Sequence, residues 1–189
     1  MLTRLYLAIR AFIRHRILNI DDRSQLEIAI SNGLKIGEDC NIQEQYSIDS
    51  SHCWLIEIGD RVTFAPRVQV IAHDASTKRP LGYTVLGKVK IGNDVFVGAG
   101  TIILPGVEIG DNVVIGAGSV VSKSIPSNSV AVGCPARVVS SYDEYVEKRK
   151  RQMETAPCYD SSYIIGRITP EKRDEMNVAI AEHEVGFVV

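Results

Sequence analysis

Four histidines occur in the 189-residue sequence, and His73 stands directly before a break in an otherwise regular pattern, in Ala72-His73-Asp74. A neutral imidazole titrates near working pH, so it can take a proton from a hydroxyl as that oxygen attacks. The same side chain can equally serve a chain corner by hydrogen bonding. Asp49 and His52 stand at a second, shorter break, where they can contact a polar substrate, orient His73, or be ordinary exposed loop residues. His15 and His183 belong to the terminal segments, which leaves too few ligands for a trihistidine zinc site. No metal is therefore expected. Cys40, Cys53, Cys134 and Cys158 are far apart with no C-x-x-C spacing, so they read as reduced thiols of a cytoplasmic protein.

Composition narrows the classes of function. With 45% hydrophobic and 23% charged residues, the chain fits one globular domain with accessory ends. A formal charge of −2 and a pI near 6.1 supply no basic field, so nucleic acid is not expected as a partner. Near the N-terminus, Arg4, Arg10, Arg14 and Arg16 interrupt the apolar residues, and the run Leu5 to Ile9 is too short for a signal core or a membrane span.

The element that must position these groups is a six-residue repeat, a period of neither an α-helix nor an alternating strand, which points to a parallel β-helix. From Ile91 to Pro126 the blocks read IGNDVF, VGAGTI, ILPGVE, IGDNVV, IGAGSV and VSKSIP. Each opens with Ile or Val, and the first and fifth residues of each are expected to stack on neighbouring coils. Gly92, Gly98, Gly110 and Gly116 hold the second place, and are read as chain-reversing corners. Three blocks would make an 18-residue coil. The register runs upstream through Ile36, Ile42 and Ile48 and through Ile58, Phe64 and Val70. It is broken by an insertion at 50–55 and by a loop at 74–88, and long loops on repeat scaffolds often carry function.

Three segments follow: 1–33, helical; 34–139, the coil; and 140–189, a helical extension. The spacing in 2–18 predicts an amphipathic helix. Its arginines either touch an anionic membrane surface weakly or are solvated on a cap over the coil end. Ser141 with Glu144 forms a capping-box pattern ahead of a helix to about Met153, and a second helix is expected from Pro170 to about Glu182. Terminal covers of this kind are what an open repeat needs.

The repeat, the loop after Ala72-His73-Asp74 and the closing stretch Gly133-Cys134-Pro135-Ala136-Arg137-Val138 together resemble the left-handed β-helix acetyltransferases. The resemblance is to the galactoside and polysaccharide O-acetyltransferases and covers about residues 34–139. Ser51-His52-Cys53-Trp54-Leu55-Ile56 looks like a subgroup that modifies lipopolysaccharide or capsular sugars. The left-handed coil is itself an implication of the resemblance, since ordinary parallel crossovers are right-handed.

The resemblance implies a homotrimer, with each active site lying between two prisms, and direct transfer from acetyl-coenzyme A to a sugar hydroxyl with His73 as general base. Ala99 matches the residue whose backbone N–H faces the thioester, although a small residue here also suits tight stacking. Ala117 matches a pantetheine contact, and Ser122, Lys123 and Arg137 match positions that meet coenzyme A phosphates. An exposed lysine or arginine is equally an ordinary solubilising residue. Asp49 and His52 are then candidates to contact sugar hydroxyls or to orient His73, and Gln43 stands where relatives carry an acceptor-binding Asn. N-acetylation of an amino sugar and a noncatalytic β-helix scaffold are the alternatives.

Overall fold

The computed structural model describes residues 24–189; the expected helix over 2–18 lies outside the described residues. Three sheets of short parallel strands form the three faces of a prism. The first face stacks Lys35–Ile36, Ile56–Ile58, Val89–Ile91 and Glu108–Ile109. The second stacks Asn41–Ile42, Thr63–Phe64, Phe96–Val97, Val113–Ile115 and Ser129–Val132, and Arg137–Ser141 closes it antiparallel. The third stacks Ser47–Ile48, Gln69–Val70, Ile102–Ile103 and Val120–Val121.

The six-residue period produces this shape because its first and fifth side chains point inward. Ile91, Val97, Ile103, Ile109, Ile115 and Val121 are buried, and so are Val95, Thr101, Val107, Val113 and Ser119. Each fully buried aliphatic contributes about 1.5–3 kcal/mol relative to exposure. The two polar members are satisfied, Thr101 and Ser119 each donating a hydroxyl to the Gly116 carbonyl at 3.2 and 2.6 Å. The expected coil length is observed, Phe96 pairing with Val114 and Ile102 with Val120.

The glycines play two roles. At Gly98 a Cβ would sit 2.4 Å from the Ala117 nitrogen, so the second place of a block is small because coils approach closely there. The left-handed turn falls at the fourth place, at Gly100 (φ 69°) as at Asn112 (φ 54°). A further departure lies in the last coil. There Val114 pairs with Val130 and Ile109 with Ile125, so Ile125 stacks where an unbroken repeat would place Ser127.

Helix α1, Gln25–Ser31, covers the first coil, with Ala29 buried and Leu26 packed on the core. A Ser24–Glu27 capping box starts it. Helix α2, Lys78–Leu81, belongs to the extruded loop. Helix α3, Tyr142–Met153, starts at the expected Ser141–Glu144 box, and helix α4 spans Pro170–His183. Neither α3 nor α4 has a fully buried residue, though α3 lies against Ser129–Val132 and Arg137–Ser141 at the last coil. Arg137–Ser141 covers the last strand edge of the second face.

Candidate active site

Two interruptions of the coil meet on one edge of the prism. The third-face strand Ser47–Ile48 delivers Asp49 at the corner toward the first face, and the extra residues of the insertion follow it. One coil later, Gln69–Val70 delivers Ala72 and His73 to the same corner. There His73–Asp74 leaves the prism and pairs antiparallel with Val85–Leu86, with α2 between. The Gly87 N–H donates to the Ala72 carbonyl at 3.0 Å, closing the neck of the loop.

Asp49 is the centre of this corner, its side chain 1% exposed. Its Oδ1 accepts the N–H groups of Ser51 and His52 at 3.0 and 3.1 Å, and its Oδ2 accepts the Ala72 N–H at 2.9 Å. The same Oδ2 lies 2.5 Å from His73 Nδ1. Burial alone would push this carboxyl up, but the hydrogen bonds from His73, Ala72, Ser51 and His52 outweigh it and hold Asp49 below the ordinary aspartate range. An ionised carboxylate only accepts, so Nδ1 carries the proton, and Nε2 of the neutral ring is free to act as a base. Of the roles considered for Asp49, orientation of His73 is the one this geometry engages; both its oxygens accept hydrogen bonds from the protein, and the residue also lines the adjoining cavity. The His73 side chain is 34% exposed, beside a cavity of about 340 Å³ whose polar lining includes Ser47, Ser50, Ser51 and Gln69.

His52 is half-buried at the same corner. Its Nδ1 is buried 3.9 Å from Asp49 Oδ1 and makes no hydrogen bond. Its ring centre lies 5.2 Å from that of His73 and 5.3 Å from that of Trp54. Asp49, His52 and His73 place ligand-capable atoms within 4.8 Å of one another. Two ligands of one zinc ion, each about 2.0–2.2 Å from it, stand farther apart than the Asp49–His73 pair does. That pair is closed as a hydrogen bond.

The coenzyme candidates divide between two edges. Ser122 and Lys123 are exposed and follow Val121 on the His73 edge, before Ile125 joins the first face. Ala99, Ala117 and Gln43 lie on the other edge of the third face, where the Gly118 N–H donates to the Ala99 carbonyl at 2.8 Å. The Gly133-to-Ala136 turn packs there too, the Ala136 N–H donating to Val120, and exposed Arg137 follows it. About five residues of extended chain, roughly 16 Å, separate the edges. One chain therefore does not bring His73 and Ala99 together.

Residues 88–123 match the family model described as bacterial transferase hexapeptide (six repeats). Protein CapG of Staphylococcus aureus is 40% identical over 121 residues, 61% of this chain and 70% of that protein. The galactoside O-acetyltransferase of Escherichia coli (strain K12) is 34% identical over 139 residues, 71% and 68% of the two chains. The chain belongs to the bacterial transferase hexapeptide family. Its coil is the left-handed parallel β-helix of this family, and the protein is an acetyltransferase. A solved structure of a hexapeptide-repeat acetyltransferase from Vibrio cholerae O1 biovar eltor, complexed with acetyl coenzyme A, is 28% identical with a TM-score of 0.52, covering 58% of this chain and 61% of that one. Among the described residues of this family member, no helix is long and apolar enough to cross a membrane.

Proposed function

We propose that this acetyltransferase transfers the acetyl group of acetyl-coenzyme A directly to a hydroxyl of a sugar, with His73 as general base and Asp49 as its positioning residue. The Asp49–His73 hydrogen bond at the neck of the extruded loop carries the reading, because it fixes the tautomer that leaves Nε2 as acceptor. His73 Nε2 takes the hydroxyl proton as that oxygen attacks the thioester carbonyl. The thiolate of coenzyme A leaves and is protonated, and no acyl-enzyme is formed. Binding both substrates in one site supplies most of the proximity the reaction needs. The Ala99 N–H is assigned to the developing oxyanion, Ala117 to the pantetheine arm, and Ser122, Lys123 and Arg137 to the phosphates.

The two edges meet when copies of the chain assemble as a homotrimer, His73 of one facing Ala99 of the next. Exposed Leu81, Tyr83, Val85 and Leu86 give the loop an apolar surface suited to reaching a neighbour. The cavity beside His73 is lined by the hydrogen-bonding side chains of Ser47, Asp49, Ser50, Ser51 and Gln69, which suits a polyhydroxyl acceptor. The relatives' names, galactoside O-acetyltransferase and the acetyl-coenzyme A complex, support the acceptor class and the donor.

Thiol release is measured with acetyl-coenzyme A against hydroxyl and amino sugars. His73→Ala is expected to lower kcat by about 10²- to 10⁴-fold; near-wild-type kcat at saturating acceptor rejects His73 as the base. Turnover of amino acceptors alone rejects O-transfer. Sharing of the site is tested by refolding His73→Ala together with Ala99→Trp, since mixed assemblies regain activity only if one chain supplies each edge.

A further inference from the structure

We infer that Trp54 is a stacking subsite for a pyranose ring of the acceptor, an inference that rests on the sugar reading above. Trp54 is the single tryptophan of the sequence, and it is 53% exposed while its neighbour Cys53 is fully buried. A large aromatic side chain kept at the surface gives up burial, and tryptophan, apolar with one polar N–H, is enriched at interfaces.

The placement of Trp54 is built into the fold. Cys53–Leu55 forms a 3₁₀ turn, and Cys53 Sγ packs 3.5 Å from the carbonyl oxygens of both Ala29 and Asn32. Gly33, with φ +102°, passes so near the turn that a Cβ on it would lie 3.0 Å from Trp54 Cβ. Burying the cysteine and trimming the glycine hold the indole outside. The turn belongs to the insertion that lengthens this coil, since Ser47 pairs with Gln69 where a coil of regular length would set Ala65 beside it.

The ring neighbours of Trp54 supply the function. The His52 ring touches both other rings, its centre 5.3 Å from that of Trp54 and 5.2 Å from that of His73, so it links the indole to the imidazole of the base. A sugar acceptor with one hydroxyl at Nε2 and a pyranose C–H face on the indole covers the His52 ring that joins them. Its remaining hydroxyls can then meet Ser50, Ser51 and Gln69 in the adjoining cavity. An aromatic face beside hydroxyl and amide side chains suits a carbohydrate; an aliphatic alcohol or an amino acid gains nothing from the flat surface.

The full-length assembled enzyme provides the test. With coenzyme A saturating, titration of the best-accepted neutral glycoside should quench or shift the single indole emission, and glycerol at equal concentration should not. Trp54→Ala should raise the acceptor KM at least tenfold with a smaller fall in kcat and an unchanged KM for acetyl-coenzyme A; Trp54→Phe should recover most of that loss. If the wild type acetylates sugars but the acceptor KM of Trp54→Ala is unmoved, only this inference fails. A Trp54→Ala chain that loses its assembly state, with the KM of the surviving assembled fraction unchanged, also overturns it by placing the indole between subunits. If the wild type acetylates no sugar at all, the sugar reading fails first and this subsite with it.

Discussion

The coil between Ile91 and Val121 and the coil between Ile48 and Val89 are built from the same six-residue unit, yet they do different work. In the first, the interval between stacked residues is constant, Lys90 on Glu108, Phe96 on Val114 and Ile102 on Val120, and the inward column from Ile91 to Val121 is buried throughout. In the second, Ser47 stacks on Gln69 and Gln69 on Ile102, intervals lengthened first by the insertion and then by the loop. The extra chain leaves the prism at one edge only, where Asp49, His52, Trp54 and His73 gather. Regular stacking supplies rigidity, and the interruptions place chemistry on it.

The largest effect that separates the two regions is on turnover. Asp49→Asn presents an amide in place of the carboxylate that accepts from Ser51, His52, Ala72 and His73. An amide N–H facing Nδ1 favours the opposite tautomer, with the proton on Nε2, where it blocks base catalysis. We expect kcat to fall by about 10²- to 10⁴-fold. Adding His73→Ala should cost little more, because the two residues act as a unit. Additive losses would separate Asp49 from His73.

Ile103→Ala makes the complementary cut in the regular stretch. Ile103 is fully buried, so its truncation should cost about 2–5 kcal/mol of stability. Turnover per folded molecule should stay near wild type, because the neighbouring coils still hold the edge in place. Denaturant titration together with active-fraction kinetics checks both halves. A fall in kcat as large as that of Asp49→Asn would break the division of labour.

How far this division could be read in advance follows from its causes. The regular coil was plain in the sequence because its signal repeats at the first and fifth places, and the loop was plain as a gap of fixed position. The last coil misled because Ile125, the fifth residue of VSKSIP, continues the pattern by type while its register shortens, so that it takes the place expected of Ser127. The Asp49–His73 contact was open among several possibilities, since the two residues are far apart in sequence and touch only once the insertion is counted into the coil. Cys53 and Trp54 are adjacent, yet one is buried and the other exposed; no periodicity assigns that. The ends of α3 and α4 were legible from capping residues, but their shallow packing was not, because caps report where a helix starts and not what it covers.

A smaller effect comes from pH. The carboxyl of Asp49 is held below the ordinary aspartate range by its hydrogen bonds. Its contribution to stability is therefore fully present above that range and is lost as pH falls through the lowered value. Denaturation midpoints measured downward from neutral pH should fall at the acid end for the wild type, with a shallower fall for Asp49→Asn. Parallel profiles would show that the Asp49 network adds nothing to the stability of the fold.

The smallest effect is expected on the outer surface of the first face. Lys35 pairs with Glu57 at 2.6 Å and Lys90 with Glu108 at 3.2 Å, all four side chains being exposed. Such pairs are screened by water and salt, and holding two long side chains in one geometry costs entropy. Their alternation of sign along one face still favours the observed strand register over a slipped one. Glu57→Gln should leave the melting temperature within measurement error and kcat unchanged. A shift as large as that of Ile103→Ala would mean that the charged face, and not the stacked interior, holds the regular coils together.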